Sequence, residues 1–373
     1  MGCEAMQETI VAKGLDGVIV GDTVLSRVDG EKGELIYRGY DIDELADCTF
    51  EEVCHLFMYG ELPSPEQEKK LRANLQKRYD IPAEVINFIC ENAKNDHPMA
   101  TLRTSVSMLS ASIKEVPLNN EALMIDMALD LIAKTGTIVA AISRVRQGKN
   151  PVAPNVSLGF SKNFIYMCSG SMPEDIVVKT MDTAMVLHID HGFNASTFTA
   201  RVVVSTLSDM ISAVTAAIGS LKGPLHGGAN TAVMKMLLEI GALENVAPWI
   251  DKALSEKRKI MGFGHRVYKV ADPRAKHLKR MSKEWGERAH EKKWFQMSEA
   301  IENIMQERKR INANVDFYSA STYYMMGIEP DMYTPIFAVA RMVGWTAHVM
   351  EQLKDNRLMR PEAHYIGPVG KKR

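Results

Sequence analysis

Apolar residues recur at helical spacing along most of this chain. They stand at i, i+3 and i+4, or within long runs of helix-forming residues, in six segments. These segments are 98–113, 120–146, 196–221, 229–241, 275–310 and 331–353. Alternating apolar and polar positions are confined to 24–28 and 33–38, which are joined through Asp29-Gly30. The pattern predicts an all-α fold with a small N-terminal β-hairpin.

Two short motifs predict where helices begin. Ser64-Pro-Glu-Gln67 combines an N-cap serine, a proline at the first helical position and a glutamine that closes a capping box. Ser171-Met-Pro-Glu174 has the same form. Each motif therefore predicts a helix that begins directly after its serine.

Length and charge narrow the class of protein. A chain of 373 residues is longer than a single core usually grows, so two domains are expected. Its 45 basic and 46 acidic side chains leave a net charge of -1, which argues against nucleic acid or an anionic membrane as a partner. No apolar run approaches the roughly 20 residues that span a bilayer.

The cysteines indicate the compartment. The chain has five, they contain no C-x-x-C pair, and so neither a disulfide framework nor a zinc knuckle is indicated. The N-terminus lacks the basic segment and apolar core of a secretory signal. We therefore expect a cytoplasmic protein.

Two glycine- and asparagine-rich stretches suggest a division into domains. They cover 222–228 and 312–319, and they bracket an inserted segment. We predict a large helical domain from 1–221 and 320–373 and a small helical domain from 222–319. A cleft between two such domains is a common ligand site.

Three residues around these stretches carry candidate chemistry. His226 stands between glycines in 223–228, His265 follows two glycines in 262–268, and Asp316 lies in 314–319. Enolisation of a carbonyl compound needs a base at the carbon and a donor at the oxygen, which a carboxylate and neutral histidines supply. Carbon–carbon bond formation is the leading hypothesis.

Two arginines are candidate anion binders. Arg341 has Phe337, Gly344 and Trp345 as helical neighbours, and an arginine on so apolar a surface needs an anionic partner. That partner is either an internal Asp or Glu or a substrate carboxylate. Arg274, at the start of another predicted helix, either forks onto a carboxylate or faces solvent.

The pair His188 and His191 allows two interpretations. Their i, i+3 spacing is compatible with a shared metal on one helical face, although no complementary carboxylate or cysteine pattern accompanies it. Alternatively, His188 is a core histidine with its hydrogen bonds satisfied, and His191, beside Gly192 at the helix end, faces a cleft. We expect no metal site.

With these motifs in place, the chain resembles the short bacterial and archaeal form of the citrate synthase family. The resemblance runs from about Gly14 to Pro368. Besides the segments around His226, His265 and Asp316, it rests on several ordered motifs. They are 36–42 (IYRGYDI), 97–99 (HPM), 194–197 (NAST), 207–209 (LSD), 272–274 (DPR) and 356–361 (NRLMRP).

The resemblance implies a two-domain helical homodimer that condenses acetyl-CoA with oxaloacetate. Asp316 would remove a methyl proton from acetyl-CoA while His226 donates a hydrogen bond to the thioester oxygen. His265 would polarise the oxaloacetate ketone, and citryl-CoA would then be hydrolysed. The CoA thioester is a substrate, and no permanently bound cofactor is implied.

The resemblance also assigns binding residues. The oxaloacetate carboxylates would be held by His191, Arg274 and Arg341, with Arg360 arriving from the partner subunit. CoA would lie along Lys259, Ile260, Met261, Gly262 and Phe263, with Lys269 near a phosphate. One departure is Gly192, where many relatives have glutamate, and it puts the hydrogen bonding behind His191 in question.

Three rival functions remain open at this point. A 2-methylcitrate synthase would use propionyl-CoA with the same three residues, and one methylene discriminates by only ~1–3 kcal/mol in an apolar pocket. From other classes, a catalytically silent acyl-CoA-binding protein would keep the fold without turnover. A metal-dependent hydrolase would be built on His188 and His191.

Overall fold

The computed structural model describes residues 11–15 and 17–372, which form sixteen α-helices and one three-stranded antiparallel sheet. The strands are β1 (Ser26–Asp29), β2 (Glu34–Tyr37) and β3 (Tyr40–Asp41). The first eight helices are α1 (Ile42–Leu45), α2 (Phe50–Tyr59), α3 (Pro65–Gln76), α4 (Ala83–Asn92), α5 (Pro98–Met108), α6 (Glu121–Arg146), α7 (Phe160–Ser169) and α8 (Asp175–Val186). The others are α9 (Ala195–Ser205), α10 (Met210–Leu221), α11 (Ala229–Ile240), α12 (Val246–Ser255), α13 (Ala275–Arg288), α14 (Lys293–Lys309), α15 (Val315–Met325) and α16 (Tyr333–Lys354).

The all-α prediction is confirmed, and the long helix α16 forms the centre of the core. It packs against α6, α9 and α10, and its buried residues cover every side of the helix rather than one stripe. A helix that is apolar all round has to be surrounded by protein. Polar groups on α16, such as Arg341 and His348, are therefore buried and need partners inside the molecule.

The N-terminal hairpin is present, with one more strand than predicted. Strand β1 pairs with β2, with Ser26 opposite Tyr37. Arg38 and Gly39 have positive φ values of 46° and 95° and turn the chain back, so that β3 pairs with the end of β2. A strand of two residues is too short to show alternation, which is why the sequence pattern missed it.

Two predicted helices are each divided in the structure. The segment 196–221 is broken between α9 and α10, where Leu207 has φ 65° and Asp209 caps α10 by accepting from the Ser212 N–H at 2.8 Å. The segment 275–310 is broken between α13 and α14, where His290 has φ 53°. Apolar spacing continues through both breaks, so periodicity alone joined the helices.

Of the two predicted helix starts, one is right and one is wrong. Ser64 caps α3 with both halves of the capping box formed. The second motif does not cap its helix, because α8 begins at Asp175 with Glu174 as its N-cap. The Ser171 hydroxyl instead contacts the Ser169 hydroxyl at 3.3 Å.

The predicted domain limits remain a prediction. Helix α15 runs through position 319, where the predicted small domain ends, and packs against α11 and α13.

Across the described ranges, we find no helix long and apolar enough to cross a membrane. The cysteines in those ranges, Cys48, Cys54, Cys90 and Cys168, are free thiols, and Cys3 lies outside the described residues.

Candidate active site

A cavity of about 1170 Å³ collects residues from distant parts of the chain. Its walls are the N-terminal segment around Val18 and Val20, the turn before α9, the turn before α11, the loop before α13, and the first turn of α15. The predicted site residues that line it are His191, His226, His265, Arg274, Asp316, Arg341, Lys259, Met261, Gly262 and Phe263.

His226 stands on a tight turn just before α11, as predicted. Gly227 is required there, since a Cβ would lie 2.3 Å from the Leu221 carbonyl oxygen. The Ser196 backbone N–H donates to His226 Nε2 at 3.3 Å, so the ring proton resides on Nδ1. Burial lowers the pKa of His226 to about 4. The residue is therefore a neutral imidazole with an Nδ1–H donor.

His265 has the opposite tautomer. Its Nδ1 accepts from the backbone N–H groups of Val267 and Tyr268 at 3.0 and 3.1 Å, so Nε2 carries the proton. Burial, and after it the charge of Arg274, lowers the pKa of His265. This histidine is also a neutral donor at the cavity.

Asp316 is the second residue of α15. The Asn314 side chain caps the helix by accepting from the Asp316 N–H at 3.1 Å, which fixes the direction of the first turn. Burial raises the pKa of Asp316 to about 6, although the charge of Arg274 acts in the opposite direction. A carboxylate with a pKa near 6 is suited to act as a general base at neutral pH.

Arg341 is almost fully buried, at 1% exposure, and one of its donors is unused. Its Nε donates to the His188 carbonyl oxygen at 2.7 Å, and Nη1 is buried without a hydrogen-bond partner. Among the described residues no carboxylate lies within ion-pair distance of it. Arg341 therefore has no direct ion pair among these residues, and it offers a charged donor to an anion in the cavity.

Arg274 does not face solvent. It is buried and forks onto Asp272, with Nε and Nη2 donating at 2.9 and 2.7 Å. Burial raises the pKa of the Asp272 carboxyl, but the Arg274 guanidinium outweighs this and holds the pKa below its ordinary value. The Asp272 carboxylate keeps the guanidinium plane fixed at the cavity wall.

His188 and His191 lie in different surroundings, as the second interpretation predicted. His191 faces the cavity, with Nε2 3.3 Å from the Tyr268 hydroxyl and its ring 5.1 Å from that of His265. His188 is buried and donates from Nδ1 to the Ala184 carbonyl at 2.6 Å. No cluster of three metal-ligating side chains occurs in the ranges described.

Three predicted binding residues do not line the cavity. The Ile260 side chain turns into the core at 5% exposure. Lys269 is exposed and forms an ion pair with Glu31, while its backbone N–H donates to the Gly30 carbonyl. Arg360 is exposed in the irregular segment after α16.

Sequence reasoning missed residues that orient the histidines. Ser196 accepts from the indole N–H of Trp345 at 3.1 Å and contacts His226 Nε2 at 2.8 Å. Tyr268 stands beside both His191 and His265. Ser196 lies within the motif 194–197, which was a usable signal, whereas nothing in the sequence connects Trp345 with His226.

The chain is similar to known proteins along nearly its whole length. The family model "Citrate synthase, C-terminal domain" matches residues 14–362. Citrate synthase 2 of Bacillus subtilis is 49% identical over 95% of this chain and 96% of its own, and a 2-methylcitrate synthase of Mycobacterium tuberculosis is 41% identical over 96% and 91%. A citrate synthase of the archaeon Thermoplasma acidophilum, solved with carboxymethyl coenzyme A and oxaloacetate, superposes with a TM-score of 0.92 at 34% identity and 98% coverage of each chain.

The family assignment follows from the extent of these matches. Both sequence relatives exceed 40% identity along nearly the whole chain, and the structural likeness extends over the same residues. This chain belongs to the citrate synthase family.

Proposed function

We propose that the cavity condenses acetyl-CoA with oxaloacetate and water to give citrate and CoA, through the residues named below. The observation that carries these roles is the arrangement of His226, His265 and Asp316 on one cavity, two neutral donors and one base. Acetyl transfer with carbon–carbon bond formation is the activity of citrate synthases, the family to which the chain belongs.

In the first step Asp316 removes a methyl proton from acetyl-CoA. Charge develops on the thioester oxygen, and the Nδ1–H of His226 donates a hydrogen bond to it. Removing one such preplaced donor costs about 2.7–4 kcal/mol of transition-state stabilisation in well-studied enzymes. The Ser196 N–H supports this role because it keeps the proton on Nδ1.

In the second step the enolate carbon attacks the ketone carbon of oxaloacetate. His265 donates from Nε2 to the ketone oxygen and gives it a proton as the new carbon–carbon bond forms. Water then adds to the thioester carbon of citryl-CoA, the carbon–sulfur bond breaks, and CoA leaves as the thiol. The new carboxylic acid of citrate ionises, and the proton held by Asp316 passes through water to Nε2 of His265, so that both residues return to their starting protonation.

Substrate binding is proposed to divide between two parts of the cavity. The oxaloacetate carboxylates would bind Arg341, Arg274 and His191, together with Arg360 of the partner subunit in a homodimer. The unused Nη1 of Arg341 supports this assignment. CoA would lie along the backbone of 259–263, and Lys269 would meet a phosphate after release from Glu31.

We further propose that the enzyme is cytoplasmic, acts in the tricarboxylic acid cycle and needs no permanently bound cofactor. The free thiols of Cys48, Cys54, Cys90 and Cys168 support a reducing compartment. The three steps use hydrogen bonds and proton transfer from side chains that the chain supplies itself.

A second candidate is 2-methylcitrate synthase activity, because relatives with that name match at 41% identity. The test is thiol release from acetyl-CoA and from propionyl-CoA with oxaloacetate present. We expect a higher kcat/KM for acetyl-CoA. A higher value for propionyl-CoA would transfer the assignment to 2-methylcitrate synthase, and no release with either would leave a silent acyl-CoA-binding protein.

A further inference from the structure

A buried carboxylate that the proposed mechanism does not use lies directly behind the site. Asp190 is 0% exposed. Its Oδ2 accepts from the Ser26 hydroxyl at 2.5 Å and from His348 Nε2 at 3.1 Å. A buried carboxylate persists only when charge and hydrogen bonds compensate its desolvation, so its partners have to be identified.

The hydrogen bonds of His348 show that it does not neutralise Asp190. An Arg201 Nη1–H donates to His348 Nδ1 at 3.0 Å, so Nδ1 is an acceptor and the proton on Nε2 points to Asp190. The charge of Arg201 is itself matched by Glu351 at 2.6 Å. His348 is thus a neutral bridge between the buried Asp190 and the ion pair of Arg201 with the partly buried Glu351, and a countercharge for Asp190 has to lie elsewhere.

The charge of Asp190 acts on the cavity arginine: burial lowers the pKa of Arg341 to about 10, and Asp190 is the first of the groups that raise it. The Asp190 segment holds Arg341 through the His188 carbonyl, which accepts from Nε at 2.7 Å. Asp190 Oδ1 packs on α16, the helix that carries Arg341. It lies 3.0 Å from where a Cβ of Gly344 would stand, and Gly344 is one turn beyond Arg341. Asp190 Oδ1 and Arg341 Nη1 are both buried without hydrogen-bond partners. In the proposed function, a substrate carboxylate would be the partner of that guanidinium.

The backbone is fixed on both sides of His191, by Ser26, which joins the same carboxylate to Gly192, and by Tyr37, which holds the main chain of Asp190. The Ser26 hydroxyl, besides donating to Asp190, accepts from the Gly192 N–H at 3.0 Å. The Tyr37 hydroxyl donates to the Asp190 carbonyl oxygen at 2.8 Å. Gly192 has φ 57°, a conformation that glycine adopts without strain, and this allows its N–H to reach Ser26.

We propose that Asp190, held by Ser26 and His348, is a positioning residue that sets the affinity for oxaloacetate through Arg341 and His191. It holds the 188–192 segment, which carries His191 and contacts Arg341 of α16 through the His188 carbonyl, and its negative charge favours the ionised form of the buried Arg341 guanidinium. The inference rests on the proposed function, since it takes Arg341 and His191 as ligands of the substrate carboxylates.

The test is Asp190→Asn in the full-length protein, measured by steady-state kinetics and by calorimetric binding of oxaloacetate alone. We expect the KM and Kd for oxaloacetate to rise about tenfold or more, equivalent to at least ~1.4 kcal/mol. The KM for acetyl-CoA should change by less than about twofold, because none of the hydrogen bonds that hold Asp190 and its segment involves residues 259–263. Equal changes in both KM values, or an unchanged Kd, would overturn the proposal.

Ser26→Ala is the second variant, and it tests the proposal if Asp190→Asn fails to fold. It removes the hydroxyl that joins Asp190 to Gly192, and we expect a selective rise in oxaloacetate KM of about threefold or more, typical of a lost buried hydrogen bond. A normal oxaloacetate KM in Ser26→Ala would contradict the proposal.

Ser161 and Asp182 provide matched controls outside the cavity. The Ser161 hydroxyl donates to the buried Asp182 carboxylate at 2.5 Å, the same kind of contact as that between Ser26 and Asp190. Ser161→Ala and Asp182→Asn should alter Tm but leave the ratio of the KM for oxaloacetate to the KM for acetyl-CoA unchanged.

The binding experiment separates failure of this inference from failure of the proposed function. If wild-type protein does not bind oxaloacetate, the proposed function fails. If wild-type protein binds it and both Asp190→Asn and Ser26→Ala bind it equally well, only this inference fails.

Discussion

At the scale of single residues, burial sets the protonation of the three proposed catalytic groups. It lowers the pKa values of His226 and His265, so that both are neutral, and it raises the pKa of Asp316 to about 6. One low-dielectric cavity therefore produces neutral donors and a poised base together. The donors keep their direction because backbone N–H groups fix which nitrogen is protonated.

Asp316→Asn should abolish turnover and stabilise the fold. Since the pKa of Asp316 is raised above its ordinary value of 3.8, the ionised carboxylate destabilises the folded state at neutral pH. Removing that charge should add about 1–2 kcal/mol to the free energy of unfolding. Thermal unfolding and thiol-release assays measure both effects. An active variant would remove Asp316 from the mechanism.

The pH dependence follows from the same group. Because the base form of Asp316 is required, kcat/KM should fall about tenfold per unit of pH below about 6. On lowering the pH through about 6 the folded state takes up the proton, so the Tm advantage of Asp316→Asn should shrink towards pH 4. A pH profile that stays flat down to pH 5 would contradict this role.

Arg341→Leu should weaken oxaloacetate binding severely and also lower Tm, because the buried Asp190 carboxylate loses the nearby positive charge. Leucine suits the apolar surroundings, and the loss of a buried charged donor to a carboxylate is expected to cost about 2–5 kcal/mol of binding. Arg341→Lys is the control, since it keeps the charge but not the fork. We expect Lys to restore part of the affinity that Leu loses; an unchanged KM for oxaloacetate in Arg341→Leu would make this arginine purely structural.

At the scale of elements, the sequence predicted which segments are helical but not where two of them stop. The break at Leu207 depends on a left-handed residue and on the Asp209 cap, and neither interrupts the apolar spacing. The start of α8 was misplaced because Ser171 bonds to Ser169 instead of capping the helix. Helix type follows from spacing over many residues, whereas helix ends depend on single local contacts.

Two glycines constrain the geometry of the loop before α13. Gly262 has φ 81°, and a Cβ there would stand 2.7 Å from atoms of both Phe317 and Val233. Gly264 also has a positive φ, but its nearest neighbour would be Ile311 at 3.8 Å. Gly262 is needed because of its positive φ and because a side chain would clash there. Gly264 is needed because of its positive φ alone.

Gly262→Ala should therefore displace the 259–263 segment and raise the KM for acetyl-CoA more than Gly264→Ala does. We expect at least about threefold more for Gly262→Ala, because a clash with packed side chains adds about 1–3 kcal/mol to the backbone strain. Steady-state kinetics with acetyl-CoA, together with Tm, compares the two. Equal effects would show that backbone strain alone limits this loop.

At the scale of the whole molecule, contacts distant in sequence complete the site, and no local pattern predicts them. The motifs identified His226, His265 and Asp316, and the resemblance named their roles. The partners that fix direction lie far away, such as Ser196, 30 positions from His226, and His348, 158 positions from Asp190. Such pairs arise from the packing of α9 and α16, which periodicity does not specify.

The proposed homodimer makes a prediction that depends on two chains. Arg360→Leu and Asp316→Asn should each be inactive alone, because one lacks the donated arginine and the other lacks the base. When the two variants are mixed in equal amounts and allowed to exchange subunits, half of the dimers should contain one chain of each. Each of these dimers has one complete site out of two, so about a quarter of wild-type activity should return. No recovery in mixtures shown by mass to contain mixed dimers would place Arg360 in its own subunit's site.

The hydrogen bond from Trp345 to Ser196 gives this protein a built-in optical probe. The indole lies one side chain away from His226, whereas the other three tryptophans, Trp249, Trp285 and Trp294, lie on α12, α13 and α14 and do not line the cavity. A change in the hydrogen bonding of Ser196 should therefore alter the emission of one identifiable ring. Substrate binding can be followed in unlabelled protein by stopped-flow fluorescence. The Trp345→Phe variant measures the emission of the other three tryptophans, which is the background.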